Sequence, residues 1–297
     1  MVVAKSFVKW AGGKSQLLVD IQKKYPVELG RGIVRYCEPF VGGGAVLFDV
    51  LSRYKIDEVL INDINKELVN AYVQIKLYAD ELIGELGVFQ DMFWNMTREE
   101  RKIYYYNKRE RFNYLKINND EKINLEKATL FIFLNRTCFN GLFRVNHKGQ
   151  FNVPLGSYKK PLICDTPNIK NISTLLQNVT IRCGDYKNCS TFIDRNTFVY
   201  LDPPYRPITQ TSNFTAYTKT PFDDKKQIEL SKFVNKIHQV GAKVIISNSD
   251  PKNNNMHDDF FDKLYQPYHI KRITAKRMIN CQAENRGNIS ELLISNY

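Results

Sequence analysis

The feature that most constrains the fold of this chain is a series of three apolar runs. Three glycines separate the first run from the second, and the third run ends in an acid. RYCEPFVGGGAVLFDVL has the pattern of a strand, a turn at Gly42 and the start of a helix, and DEVLINDIN is typical of a strand that ends at Asp63. Strand, glycine loop, helix, strand and acid, in this order, form the first half of a nucleotide-binding α/β sheet. We therefore predict an α/β protein with a Rossmann-like parallel sheet.

The glycine loop differs from the sequences that bind pyrophosphate or triphosphate. Ala45, Val46 and Leu47 follow the glycines, so the loop has neither the G-x-G-x-x-G pattern nor the G-K-[ST] ending of a P-loop. Asp63 follows about twenty residues later, where an acid binds ribose hydroxyls in dinucleotide folds. Its alternative role is the N-cap of the next helix. A nucleoside site without phosphates favours S-adenosylmethionine over NAD.

The α/β pattern stops near residue 70 and returns near residue 163. The stretch between them is charged, aromatic and mostly helical in pattern, and TREE, beginning at Thr97, is a capping-box signature. NRTCFNGLFRVNHKGQFNVPLG, at residues 135–156, has the composition of a loop or hairpin. We predict one α/β domain, residues 1–70 and 163–297, interrupted by an insertion at residues 71–162.

The distribution of charge predicts a polyanionic partner, nucleic acid first. The net charge is +12, and residues 97–160 hold fourteen Lys and Arg against six Asp and Glu. Arg98, Arg101, Lys108, Arg109 and Arg111 follow the capping box, and we expect them to contact phosphates or solvent.

The cysteines and the N-terminus exclude several classes of protein. None of the six cysteines falls in a C-x-x-C pair, which predicts reduced thiols, no zinc site and no metal. Lys5 and Lys9 interrupt the apolar N-terminus, so we expect no signal peptide, and no run is long enough to span a membrane. The expected location is the cytoplasm.

The segment VYLDPPYRP places a carboxylate and an aromatic ring on a stiff turn after a strand. Proline has no N–H for a sheet ladder, so the strand should end at Asp202, before Pro203 and Pro204. Such a turn is suited to hold an amino group still while a group is transferred to it.

Asp202-Pro203-Pro204-Tyr205 is similar to the D-P-P-Y signature of amino-methylating DNA methyltransferases. FVKWAGGK, EPFVGGGAV, INDIN, LNRTCFNGLFRVNHKGQFNVP, YLDPPY and ISELLISNY together resemble the Dam-type adenine-N6 methyltransferases of the α group, which methylate GATC. The resemblance extends from residue 7 to the C-terminus. It implies a Rossmann-like S-adenosylmethionine-dependent methyltransferase sheet with an inserted helical and hairpin target-recognition domain, at residues 71–162.

The implied chemistry accounts for the residue types in this turn. Asp202 and the carbonyl of Pro203 can accept the two N–H bonds of the adenine amine, while Pro204 stiffens the turn. Tyr205 offers a ring on which a flipped-out base can stack. The resemblance further implies that Asp202 and six other residues line the cofactor site: Trp10, Lys14, Phe40, Gly42, Asp63 and Asp185. By residue type alone, the alternative role of Trp10 is a core residue and that of Asp185 is a turn residue.

The resemblance also assigns the residues that read DNA: Lys9, Phe139, Asn140, Leu142, Arg144 and Pro154. Arg144 and Lys9 would each contact a guanine, Leu142 and Pro154 a thymine methyl group, and Phe139 the space left by the flipped adenine. Phe139 departs from the family, where tyrosine is common at this position. The alternative role of Leu142 and Phe143 is packing within the hairpin.

The leading interpretation is a site-specific DNA adenine-N6 methyltransferase that acts on double-stranded DNA in GATC, as a monomer. A cognate restriction enzyme is a candidate partner, although a phage enzyme and a solitary regulator stay open. The alternatives are an amino-methyltransferase for RNA or cytosine-N4, a catalytically silent DNA-binding module, and, least favoured, an NAD dehydrogenase.

Overall fold

A mixed seven-stranded sheet forms the centre of the molecule. The computed structural model describes residues 2–10, 12–118, 123–206, 222–276 and 288–297. The strands follow the spatial order β3-β2-β1-β4-β5-β7-β6. Their bounds are β1 (Arg35–Glu38), β2 (Glu58–Asp63), β3 (Val179–Cys183), β4 (Thr197–Leu201), β5 (Lys243–Ser249), β6 (His269–Lys276) and β7 (Asn288–Ser295).

Strands β1 to β5 run parallel, and β7 lies antiparallel between β5 and β6. In the register of the central strands, Cys37 of β1 lies between Leu60 of β2 and Val199 of β4. The strand order reverses between β1 and β4, and ligands of open α/β sheets bind beside the carboxyl ends of the strands at such a switch point. The predicted Rossmann-like α/β fold is confirmed.

The helices cover both faces of the sheet and build the inserted region. Their bounds are α1 (Leu18–Gln22), α2 (Ala45–Arg53), α3 (Lys66–Leu77), α4 (Ala79–Asn95), α5 (Arg98–Asn118), α6 (Leu125–Thr137), α7 (Thr166–Leu176), α8 (Asp224–Gln239) and α9 (Phe260–Leu264). Helix α2 begins directly after the glycine loop, as predicted. Helix α8 buries Leu230, Phe233, Val234 and Ile237 on one face.

The inserted region shares its core with one face of the sheet. Helix α6 buries five consecutive apolar residues, from Leu130 to Leu134, because helices surround it on all sides. These residues and Tyr36 of β1 belong to one hydrophobic cluster. The predicted boundary at residue 70 falls inside α3, and the division into a catalytic domain and an insertion stays a prediction.

The capping box at the start of α5 is confirmed. The Thr97 amide donates to Glu100 Oε2 at 2.7 Å, and the Glu100 amide donates to Thr97 Oγ1 at 3.3 Å. None of the helices within the described ranges combines the length and the apolar character needed to cross a membrane.

Candidate active site

The four residues from Asp202 to Tyr205, called the DPPY loop below, leave the sheet at the end of the fully buried strand β4. The Asp202 carboxylate accepts hydrogen bonds at Oδ1 from Lys14 Nζ, at 2.8 Å, and from Ser247 Oγ, at 3.1 Å. The carbonyl of Pro204 accepts a hydrogen bond of 3.2 Å from Gln227. Ser247 of β5 and Gln227 of α8 are completely buried, so the loop is held by rigid elements on two sides.

Lys14 brings the predicted cofactor and catalytic residues together. It lies on a short 3-10 helix, is 3% exposed, and directs its ammonium group at the carboxyl end of β4. Besides Asp202, its Nζ donates to the carbonyl of Gly12 at 3.0 Å and to the Tyr205 hydroxyl at 2.7 Å. Three acceptors for three N–H bonds leave the ammonium group fully hydrogen-bonded.

Burial and hydrogen bonding have opposite effects on the pKa of Asp202. Burial raises the pKa of the Asp202 carboxyl, whereas the charge of Lys14 and the hydrogen bonds from Lys14 and Ser247 lower it. Burial, together with the nearby carboxylates of Asp202 and Glu291, raises the pKa of the Tyr205 hydroxyl, so Tyr205 is neutral. The Asp202 side chain is 22% exposed and is therefore accessible to a ligand.

The glycine loop is tied to the end of β2 through Asp63. Gly42 has a φ of 48°, and its amide donates to Asp63 Oδ2 at 3.0 Å, while the Asn65 amide donates to Asp63 Oδ1 at 2.9 Å. The N-cap of α3 is Asn65, whose side chain accepts from the Leu68 amide at 3.0 Å. The N-cap role for Asp63 is therefore wrong, and its carboxylate lies at the carboxyl ends of the strands.

Trp10 packs directly against the glycine loop. A Cβ atom on Gly42 would lie 2.9 Å from Trp10 Cδ1, so only glycine allows this approach. On its other side the indole stacks on Phe143, with ring centroids 6.2 Å apart. Phe143 is buried in the core, as its packing role predicts, so Trp10 connects the core to the predicted cofactor site.

Phe40 and Asp185 lie on the loops after β1 and β3. The Phe40 ring packs on Tyr186, with centroids 5.1 Å apart. Asp185 is exposed and accepts a hydrogen bond of 2.8 Å from the Lys187 amide, which confirms its turn role. Asn62 links the two loops by donating to the carbonyls of Pro39 and Gly184, at 3.0 Å each. Asn62 lies in the INDIN motif but was not predicted as a site residue, because only the acid of that motif, Asp63, has a known role in binding ribose.

Residues 135–137 of the predicted loop or hairpin belong to the end of α6. The rest, residues 138–156, is a hairpin with antiparallel bridges between Cys138 and Leu155 and between Val145 and Phe151. The backbone of Lys9 lies beside its first turn, since Asn135 accepts from the Lys9 amide at 2.7 Å and donates to the Lys9 carbonyl at 2.8 Å. A Cβ on Gly141 would collide with the Lys9 side chain. The Lys9 ammonium lies 3.6 Å from the ring centroid of Tyr158.

The structure places most of the remaining DNA candidates on this hairpin surface. Phe139 is 50% exposed, and its amide donates to the carbonyl of the exposed Pro154 at 2.9 Å. Asn140 is exposed in a left-handed conformation, with a φ of 54°. Arg144 donates from Nε to Asn152 Oδ1 at 2.9 Å. Leu142 is half-buried and packs on the core, in keeping with its alternative role.

The basic residues of α5 have more internal partners than the sequence analysis expected. Arg101 donates to the carbonyls of Phe93, Lys159 and Trp94 at 2.7, 2.6 and 2.9 Å. Arg101 is therefore anchored within the protein, and a contact with phosphate through its remaining N–H donors stays a prediction. Arg111 forms a two-pronged ion pair with Glu126, at 2.7 and 2.8 Å.

Comparisons with known proteins identify the family. Residues 10–279 match the family described as D12 class N6 adenine-specific DNA methyltransferase. The chain belongs to this family. The enzyme is 50% identical over 295 residues to the Type II methyltransferase M.MjaIII of Methanocaldococcus jannaschii, an alignment that covers 99% of each chain.

Two further relatives also align with this chain over nearly their whole length. The Type II methyltransferase M1.LlaDCHI of Lactococcus lactis subsp. cremoris is 36% identical, over 99% of this chain and 95% of the relative. The DNA adenine methylase of Escherichia coli K12 is 33% identical, over 97% of this chain and 94% of the relative. The prediction of a site-specific methyltransferase for adenine N6 in DNA is confirmed, in preference to the RNA, cytosine-N4 and NAD alternatives.

Several residues of this methyltransferase that hold the DPPY loop were missed by the sequence analysis. Arg206, next to Tyr205, pairs with Asp224 at 2.6 and 3.0 Å and with Asp258 at 2.6 Å. Glu291 of β7 accepts a hydrogen bond of 2.7 Å from the Tyr205 hydroxyl. Two features of the sequence mark Glu291: it is a carboxylate within the apolar run ELLIS, and it lies in the ISELLISNY motif.

No cluster of His, Cys, Asp and Glu suited to a metal ion occurs in the part of the chain that the structure describes. The described cysteines Cys37, Cys138, Cys164, Cys183 and Cys189 are free thiols, and Cys281 lies outside the described residues.

Proposed function

We propose that the enzyme transfers a methyl group from S-adenosylmethionine to N6 of an adenine flipped out of double-stranded DNA in GATC, with Asp202, Pro203, Pro204 and Tyr205 as the catalytic residues. The observation that carries this proposal is the geometry of Lys14. One buried ammonium group contacts both the carboxylate and the tyrosine of the DPPY loop. The glycine loop follows β1, the strand that pairs with β4.

The DPPY loop has the acceptors that the adenine amine needs. The contacts of Asp202 described above all involve Oδ1, so Oδ2 can accept one N–H of the amine. The carbonyl of Pro203 can accept the other. Drawing both hydrogens toward fixed acceptors turns the nitrogen lone pair out of conjugation with the ring and toward the methyl donor. The Tyr205 ring would stack on the flipped base.

The residues at the carboxyl ends of β1 to β4 fit a nucleoside cofactor. Gly42 has no Cβ, which lets Trp10 pack against the glycine loop, and the Asp63 carboxylate lies next to it, where it would accept ribose hydroxyls. We assign Trp10, Lys14, Phe40, Gly42, Asp63, Asp185 and Asp202 to this site. When bound, S-adenosylmethionine supplies an electrophilic methyl group.

The hairpin and the adjacent Lys9 form the proposed surface for reading DNA. Arg144 and Lys9 would each bind a guanine edge, Leu142 and Pro154 would contact thymine methyl groups, and Asn140 would line the same groove. The half-exposed Phe139 is placed to fill the space that the flipped adenine leaves. The relative named DNA adenine methylase supports adenine in DNA as the target, and the choice of GATC rests on the resemblance of the motifs.

We further propose that the enzyme acts as a monomer, because each target adenine is flipped separately. Pairing with a cognate restriction enzyme, in a restriction-modification system, is supported by the two relatives named Type II methyltransferases.

The direct test of the chemistry replaces the proposed acceptor of the adenine amine. Asp202→Ala should lower the rate of methyl transfer to unmethylated DNA by at least about 100-fold, because it removes a preorganised acceptor from the reacting nitrogen. Transfer of a radiolabelled methyl group measures the rate, and duplex binding should stay near that of the wild type. The control Asp259→Ala removes a carboxylate that pairs with Lys263 on the surface, and should keep full activity. Near-normal turnover of Asp202→Ala would contradict the assignment.

A further inference from the structure

A chain of hydrogen-bonded side chains extends from the partly exposed Asp202 to the buried Glu291 in the antiparallel part of the sheet. Its order is Asp202, Lys14, Tyr205 and Glu291, with successive distances of 2.8, 2.7 and 2.7 Å. Glu291 is 5% exposed, although burial of a carboxylate is costly unless it is well paired. The proposed chemistry gives Glu291 no role of its own.

The hydrogen positions in this chain follow from the number of donors. Lys14 has three N–H donors and no acceptor, so the Tyr205 hydroxyl must accept the hydrogen bond that joins them. The single proton of that hydroxyl is then free to be donated to Glu291, whose carboxylate is an acceptor. Glu291 thereby sets the rotation of the Tyr205 hydroxyl.

The sheet holds Glu291 firmly in place. Its position on β7 is paired with Ser249 of β5 on one side and with Ile273 of β6 on the other. A carboxylate on a strand paired along both edges is a more precise anchor than one on a loop. The DPPY loop, in contrast, has no strand partner after Leu201.

We propose that Glu291 is a positioning residue for methyl transfer. By accepting the Tyr205 proton it fixes the ring on which the base stacks, and it directs the hydroxyl lone pair at Lys14, which in turn holds Asp202. This inference rests on the proposed function, because it requires Asp202 and Tyr205 to be the catalytic residues.

A double-mutant cycle between Glu291 and Tyr205 tests the proposal. Glu291→Leu and Tyr205→Phe each break the same hydrogen bond, and each should lower kcat by about 10-fold or more. The Tyr205→Phe/Glu291→Leu double variant should be no slower than the slower single variant, since a bond can be lost once. Glu291→Gln should recover most of the activity, because its amide oxygen can accept the same proton. The KM values for DNA and S-adenosylmethionine should stay within about 2-fold in all of these variants.

The matched control is Glu67→Gln, which changes another buried glutamate, in the first turn of α3, whose ion pair with Lys116 of α5 is separate from this chain of hydrogen bonds, and it should leave kcat unchanged. A wild-type kcat for Glu291→Leu, or losses that multiply in the double variant, would overturn the proposal. If Glu291→Leu does not fold, Glu291→Met, which also lacks the carboxylate acceptor, takes its place in the same cycle with the same supporting and contradicting outcomes. Asp202→Ala separates the two hypotheses, because an active Asp202→Ala refutes the proposed function, whereas an inactive one beside a normal Glu291→Leu refutes this inference alone.

Discussion

Asp202 shows how single residues of this enzyme depend on partners far away in the sequence. Its place after a strand and before two prolines could be predicted from the sequence, because these are local features. Its partners Lys14 and Ser247 lie 188 and 45 positions away, and only folding brings them to the carboxylate. No sequence motif marks Ser247, and the ISELLISNY motif contains Glu291 without showing which residue it contacts, so neither was predicted as a site residue.

The hydrogen bond from Ser247 gives a prediction for the pH dependence of the reaction. Asp202 must be ionised to accept the amine, so kcat should fall as the pH falls through its pKa. The hydrogen bond from Ser247 lowers this pKa, and Ser247→Ala should therefore raise it and move the acid limb of the kcat profile to higher pH. Profiles of kcat against pH measure the shift. Ser231→Ala, a serine bonded to the Ile228 carbonyl within α8, should leave the limb in place, and an unmoved limb in Ser247→Ala would contradict the account.

The glycine loop gives a second prediction at this scale. Gly42→Ala should destabilise the protein by about 1–2 kcal/mol or more, because a left-handed φ is unfavourable with a Cβ and that Cβ would meet Trp10. Gly84→Ala is the matched control. Gly84 lies in α4 with nothing within 4 Å of its added Cβ, and alanine there should stabilise by about 0.5–1 kcal/mol. Urea unfolding measures both free energies, and equal effects would contradict this reading of the loop.

At the scale of elements, the order of strands and helices was largely predictable from the sequence. The partners that the charged side chains of the helices contact were not. The capping box and the apolar face of α8 depend on neighbours within a few residues, so the sequence contains both signals. Arg101 looks like its basic neighbours in the sequence, yet it binds three carbonyls from α4 and from the segment after the hairpin. Such partners are set by helix packing.

Arg101 should therefore contribute to stability more than to DNA affinity. Arg101→Ala should lower the free energy of unfolding by about 1–3 kcal/mol, since it leaves carbonyls without charged donors. The exposed Arg98 is the control, and Arg98→Ala should change it by less than about 0.5 kcal/mol. The slope of log affinity against log salt should be the same for Arg101→Ala as for the wild type. A slope reduced by about 1 would instead place Arg101 on a phosphate.

For the whole molecule, the sheet gathers the proposed catalytic and cofactor residues at one edge, and the hairpin adds a basic and aromatic surface beside Lys9. The net charge of +12 favours association with DNA of any sequence, so specificity has to come from residues that reach the base edges. The family motifs in the sequence predicted both the catalytic residues on the sheet and the DNA-reading residues on the hairpin. The sequence could not give the packing of Trp10 between the glycine loop and Phe143, which joins the two regions.

The most direct test of the central claim is a map of every N6-methyladenine that the purified wild-type enzyme introduces into unmethylated genomic DNA in the presence of S-adenosylmethionine. We expect methyl groups on the adenines of GATC and no other sites. Methylation of a different sequence would keep the chemistry assigned to Asp202 and refute the reading of Lys9, Leu142, Arg144 and Pro154. The absence of N6-methyladenine, with properly folded enzyme, would contradict the proposed function itself.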